Sequence, residues 1–147
     1  LIDYPRVRSQ VNRLTYNEPI EISALVKDIS HRKQRFTQIG GIRPFGVSLL
    51  VAGMNEFSHL FETDPSGTLR EWKAHSIGRG AKEAKKVLVE EYKDNMPKEK
   101  AMDLALKALK AGEKKIAVRA TEIGVVEAGN FRPLERNEVK ELVKKFV

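Results

Sequence analysis

Asp64, Ser66 and His75 are the residue types of an orienting acid, a hydroxyl nucleophile and a base, and they lie close together in the chain. A serine activated by a histidine that a carboxylate holds in place would carry out acyl transfer. Asp64 and Ser66, however, share the run Asp64-Pro65-Ser66-Gly67. Asp at the first position, Pro at the second and Gly at the fourth are what a type I turn selects. The run therefore reads as a turn former between two strands, and no catalytic residue is assigned. His31, His59 and His75 are scattered without metal-ligand spacing, and there is no cysteine, so no metal site and no cofactor are expected. Gly78-Arg79-Gly80 before a helix could hold an anion, but it lacks the full phosphate-loop pattern and reads as a strand-to-helix turn.

A second stretch, Thr37-Gln-Ile-Gly-Gly-Ile-Arg-Pro-Phe-Gly46, sets three glycines and a proline between a helical pattern and an apolar run. Glycine relaxes the backbone and lets chains approach closely, while proline stiffens it. Composition alone favours a helix end followed by a strand entry.

The elements around these motifs follow from periodicity. Val7, Val11 and Leu14 are spaced as on a helix within residues 2–16, with Pro5 in its first turn. A second helix over about 21–37 gathers Ile22, Leu25, Val26, Ile29, Lys33 and Phe36 on one face. Val47 to Met54 is apolar enough to predict a central strand covered on both faces. Residues 59–63 and 68–77 flank the Asp64–Gly67 turn as a hairpin. Helices are expected over about 81–93 and from Pro97, the latter with a narrow stripe of Ala101, Leu104, Ala105, Ala108 and Leu109 and Gly112 as its cap. A second hairpin is expected around Ala128 to Asn130, its strands drawn from 115–129 and 131–134. A last helix over 137–146 should turn Val139, Leu142, Val143 and Phe146 inward. Paired helices alternating with hairpins suggest a layered α+β fold, yet the strands are too few for two stacked sheets.

The chain has 147 residues, 41% hydrophobic and 32% charged, enough for one domain. No apolar run reaches the roughly 20 residues of a membrane helix. The absence of cysteine suits a reducing compartment, and a cytoplasmic location is expected. The net charge of +7 invites a nucleic-acid reading, but the basic residues are mixed with acids along helices. Only His31 to Arg35 is densely basic, and no aromatic-rich strand lies beside it as a platform for bases. The chain begins with Leu1 rather than Met, so further chain is expected upstream.

Residues 13–29, 34–53 and 60–84 carry the motifs RLTYNEP, TQIGGIRPFGVSLLVAG and ETDPSG in unbroken order. This combination resembles proteasome α-subunits, in particular those of the archaeal type. Beyond Tyr92 the likeness is one of pattern. The resemblance implies a four-layer αββα sandwich of the N-terminal-nucleophile hydrolase type, with residues 1–147 as part of a single α-type domain that lacks its first helix, gating tail and N-terminal strands. It implies the C-terminal two-thirds of a subunit that performs no chemistry. An enzyme of that fold needs Thr, Ser or Cys as residue 1, and here Leu stands there. The partners implied are further α-subunits in a seven-membered ring, the proteolytic β-subunits, a regulatory ATPase or other activator, and unfolded polypeptide in transit. Ile39, Gly40 and Gly41 would line the axial pore, with Arg43, Pro44, Phe45 and Gly46 bracing the loop. Ile39 replaces an aromatic or histidine common in the family, and the connection over residues 110–120 is shorter than usual. Two alternatives stand beside this: a basic nucleic-acid-binding module, and an N-terminal-nucleophile hydrolase whose nucleophile lies upstream.

Overall fold

A computed structural model describes residues 1–113 and 115–146. The fold is mixed α+β and divides into two compact units, Leu1–Lys73 and the remainder from Ala74.

In the first unit, helix α1 spans Asp3–Tyr16, with Pro5 in its first turn, and ends at Asn17 in the left-handed conformation that asparagine tolerates. Its Val7, Val11 and Leu14 do lie at helical spacing, but they are exposed, Leu14 at 86%. Helix α2 spans Ile22–Gln38 and buries Leu25, Val26, Ile29, Ser30 and Lys33. Each large apolar side chain buried this way contributes about 1.5–3 kcal/mol. The two helices are tied by an Arg8–Asp28 ion pair at 3.1 Å.

Helix α2 packs against a three-stranded antiparallel sheet made of β1 (Leu49–Met54), β2 (Ser58–Thr63) and β3 (Leu69–Glu71), in the order β1-β2-β3. Val51 pairs with Phe61, and Phe61 with Glu71. Among the described residues, the strand expected to be central stands at the edge of this sheet. β1 starts at Leu49, pairs only with β2 among the described residues, and leaves Leu50 and Ala52 exposed. An apolar composition reports how much a strand could bury, not what covers it. The hairpin around Asp64–Gly67 forms as expected, although β3 is three residues long. Gly67 lies against α2 so closely that a Cβ would stand 2.6 Å from the Ser30 carbonyl oxygen.

The second unit holds α3 (Ala81–Glu91), α4 (Lys98–Gly112), a 3-10 turn (Val118–Ala120), β4 (Gly124–Glu127), β5 (Asn130–Pro133) and α5 (Arg136–Lys144). Helix α3 stops two residues short of the expected end, and α4 begins directly after Pro97. The small-residue stripe of α4 is corrected: Ala101, Ala105 and Leu109 are exposed. Leu104 and Ala108 pack with Ala84 and Leu88 of α3, while Leu106 points the other way into a cluster with Val139 and Val143. Leucine at positions two apart serves two cores because two residues turn a helix through about 200°. Gly112 is the last helical residue rather than a cap.

Residues 115–120, expected as strand, contain the 3-10 turn instead, and Ile116 and Val118 pack on the α5 cluster. Lys114, within the connection judged short, lies outside the described residues. The second hairpin turns at Ala128 and Gly129, both at positive φ as a two-residue hairpin loop requires. Helix α5 opens with a reciprocal capping box between Glu135 and Glu138. It buries Val139 and Val143, with Leu142 and Phe146 packed alongside.

Gly80 and Gly112 touch backbone to backbone: a Cβ on Gly80 would lie 2.2 Å from the Gly112 carbonyl oxygen. Neither backbone can move without shifting α3 or α4. Gly80→Ala is therefore expected to cost about 2 kcal/mol or more, at the upper part of the usual range for single substitutions. Denaturant unfolding checks this, and an unchanged midpoint would contradict the close contact.

Candidate functional site

The segment between α2 and β1 starts where Ile39 leaves helical geometry, at φ −89° and ψ 117°. Gly41 sits at φ +78°, and the Ile42 amide donates to the Ile39 carbonyl at 3.5 Å. The tip is bare: Ile39 and Ile42 are 41% and 45% exposed, and Gly40 and Gly41 are exposed too. Arg43 and Pro44 are exposed as well, so the contacts that hold the segment come from its far end. There the Phe45 ring meets that of Phe36 on α2 with centroids 4.6 Å apart and planes tilted by 42°.

The deepest anchor is Lys33, whose side chain is fully buried beneath this segment. Its Nζ donates to the Val47 carbonyl (2.9 Å), the Thr63 carbonyl (3.0 Å), Thr63 Oγ1 (2.8 Å) and the Asp64 carbonyl (3.2 Å). An ammonium has three N–H groups, so four acceptors saturate it. Burial pushes its pKa below the ordinary 10.5, and the nearby Asp64 carboxylate partly opposes this. Sequence pattern placed Lys33 on the apolar face of α2 without giving it a role. A lysine within an apolar stripe is the signal that could have found it.

Asp64 and Ser66 are brought together, but as turn formers. Asp64 Oδ1 accepts from the Ser66 amide (2.9 Å), Ser66 Oγ (2.6 Å) and the Thr68 amide (3.0 Å). The Gly67 amide donates to the Asp64 carbonyl at 3.1 Å, closing the turn, and Pro65 is exposed at its tip. His75 belongs to the other unit. His59 pairs with Glu71 at 2.7 Å and stacks on Phe61. Among the described residues no group of three or more His, Cys, Asp or Glu could hold a metal ion, and no helix is long and apolar enough to cross a membrane. The dense basic run 31–35 does not act as one patch. Lys33 is interior, and Arg32 lies over the rings of Tyr4 and Phe36. Gly78 and Gly80 shape a packing turn, and Arg79 between them pairs with Glu113 at 3.2 Å.

The ten glycines sort by what their backbone meets. Eight have either a neighbour within 4 Å of a built Cβ or a positive φ; Gly40 and Gly46 have neither. Both belong to the segment between α2 and β1.

Residues 1–146 match the family described as proteasome subunit. The chain belongs to that family. It is 47% identical over 150 residues to the proteasome subunit alpha of Methanoculleus marisnigri, covering 99% of this chain and 62% of the relative. The proteasome subunit alpha of Methanopyrus kandleri is 44% identical, covering 100% of this chain and 61% of the relative. That of Archaeoglobus fulgidus is 43% identical, covering 99% and 60%. The likeness is thus to archaeal α-subunits, and the chain spans about three-fifths of the length of these proteasome relatives.

Two outcomes follow from the anchor and the turn. Lys33→Met keeps the apolar stem but leaves buried acceptors unpaired, each costing about 1–3 kcal/mol. A loss of about 3 kcal/mol or more is expected in denaturant unfolding. Asp64 has its pKa held below the ordinary 3.8, first by the Ser66 hydroxyl; burial opposes this, and the Thr68 and Ser66 amides and the Thr68 hydroxyl add to the lowering. The folded state therefore binds this proton less readily than the unfolded chain does. The stabilisation is complete above 3.8 and fades as pH falls through the folded value. Melting temperatures from pH 6 down to about 2 should fall less steeply for Asp64→Asn than for the parent.

Proposed function

We propose that this chain is the C-terminal part of a non-catalytic α-subunit in a proteasome core particle, and that its α2–β1 segment lines the entrance pore. Both compact units then belong to one α-type domain, which upstream strands complete into a four-layer αββα sandwich. The subunit assembles with copies of itself or its like into a seven-membered ring. That ring stacks on proteolytic β-subunits in the cytoplasm, accepts a regulatory ATPase or other activator on its outer face, and controls the entry of unfolded polypeptide. The exposed Val7, Val11 and Leu14 face of α1 supplies an apolar surface for a neighbouring subunit.

One observation carries the pore reading. Gly40 and Gly46 have no steric neighbour and no left-handed backbone, so nothing within the chain calls for glycine there. Copies of one loop converging on an axis would call for it at Gly40, because a side chain at the tip would fill the opening. Ile39, Gly40 and Gly41 then form a collar of bare backbone and one apolar side chain, which passes chains without regard to sequence. Arg43, Pro44, Phe45 and Gly46 form its base, and the turn Asp64–Gly67 supports the anchor beneath it.

The test is Gly40→Leu in the full-length subunit assembled with its β-subunits. Folding stability should stay within about 0.5 kcal/mol, as for surface substitutions away from special geometry. Degradation of an unfolded protein should slow much more than hydrolysis of a short peptide. Equal effects on both substrates, or none on either, would remove the segment from the entry path.

A further inference from the structure

Among the described residues a Cβ built on Gly40 or Gly41 would meet nothing within 4 Å, so the direction of the loop is set at its base. Three contacts near the C-terminal end of α2 are placed to do this. The Arg32 guanidinium lies 4.9 Å from the centre of the Tyr4 ring and 5.8 Å from that of Phe36, both within cation–π range. Phe36 in turn meets Phe45 at 4.6 Å, with the ring planes tilted by 42°. The tilted arrangement is one that aromatic pairs favour. Four side chains from three parts of the chain thus form a continuous stack: Tyr4 on α1, Arg32 and Phe36 on α2, and Phe45 on the segment leading to β1.

We propose that this stack is the positioning device of the loop, with Arg32 and Phe45 as positioning residues that hold Ile39 to Ile42 in one orientation. Its functional meaning rests on the pore reading above. The geometry separates this role from that of Lys33. Lys33 is buried and fastens the start of β1 to the fold, so its loss affects the whole unit. Arg32 is exposed and Phe45 is half-buried at the edge of that anchor, so their loss frees the loop while the sheet stays paired. Charge alone does not make the stack. A guanidinium plane covers two rings where a compact ammonium offers a point charge. Phe45 supplies a ring tilted by 42° against Phe36, a contact that an aliphatic side chain of similar size does not make.

These 147 residues contain no cysteine, so, once any cysteine elsewhere in the particle is replaced by serine, a nitroxide can be attached at one chosen position. The experiment places Ile39→Cys, spin-labelled, in the full-length subunit assembled into its particle. A second label at Val89→Cys, 84% exposed on α3, serves as the control. In Phe45→Leu and in Arg32→Gln the spectrum at position 39 should narrow, reporting a more mobile loop, while that at position 89 stays unchanged. Phe45→Tyr keeps the ring and should keep the parent spectrum. An unchanged spectrum at position 39 in both Phe45→Leu and Arg32→Gln would overturn the proposal. So would equal narrowing at positions 39 and 89, which marks general loosening. The same samples test the pore reading separately. Labels converging on an axis broaden one another's spectra, and diluting them with unlabelled subunits removes the broadening. Absence of broadening with the mobility change intact would sink the pore reading and leave the positioning role standing.

Discussion

A single ammonium group fixes the first unit. Lys33 enters the interior from an otherwise apolar helix face, where an unpaired charge would cost far more than any one side chain contributes. It is tolerated because four oxygens meet it, and they come from three places: the approach to β1, the end of β2 and the turn after it. Apolar contacts can slide by a residue at modest cost, but this set of hydrogen bonds is satisfied in one register only. The position of α2 over the sheet, the path of the Asp64–Gly67 turn and the start of β1 are therefore determined together. Gly67 completes the arrangement, since the turn could not lie against Ser30 and Gln34 with a side chain there.

The loop between α2 and β1 inherits its geometry from that constraint. Lys33 and Phe36 are three apart on a helix and share a face, while Phe45 and Val47 are two apart on extended chain and do the same. Lys33 meets Val47 and Phe36 meets Phe45, so the two stems run antiparallel and close like a hairpin. What remains between them is short, apolar at Ile39 and Ile42, and exposed. A rigid stem with an unsupported tip is what a loop needs if its contacts lie outside its own chain.

How much of this could be read beforehand depended on the range of each interaction. The helices and the Asp64–Gly67 turn were legible because periodicity, capping and turn chemistry act over a few residues. The α+β class followed, and the family was legible from motif order, which the relatives bear out. The covering of β1 was not legible. Its apolar run is the same whether the strand is central or at an edge, and the partner that decides is remote in sequence. The stripe on α4 failed for a related reason: alanines suit a helix anywhere, and only the positions of α3 and α5 select Leu104, Ala108 and Leu106. In the candidate site the residues of the loop were visible, but their anchors were not. Arg32 and Lys33 are neighbours in one basic run, and pattern gives no hint that one stacks on Tyr4 while the other is swallowed by carbonyls.

The glycines separate what the chain explains about itself from what it does not. Gly53 yields to the Ile22 side chain, Gly67 to α2, Gly124 to the Phe131 ring, and Gly80 and Gly112 to one another. Gly41, Gly78 and Gly129 have backbones that other residues rarely adopt. Each of these would be selected even if the chain met nothing else. Gly40 and Gly46 would not, for an alanine at either would lose less conformational entropy on folding and strike nothing. Two residues that the chain's own stability would replace, placed at either end of one exposed loop, point to a requirement imposed from outside. Under the proposed pore reading, converging copies and a passing polypeptide would impose one of that kind at Gly40, because each demands space where a side chain would otherwise stand.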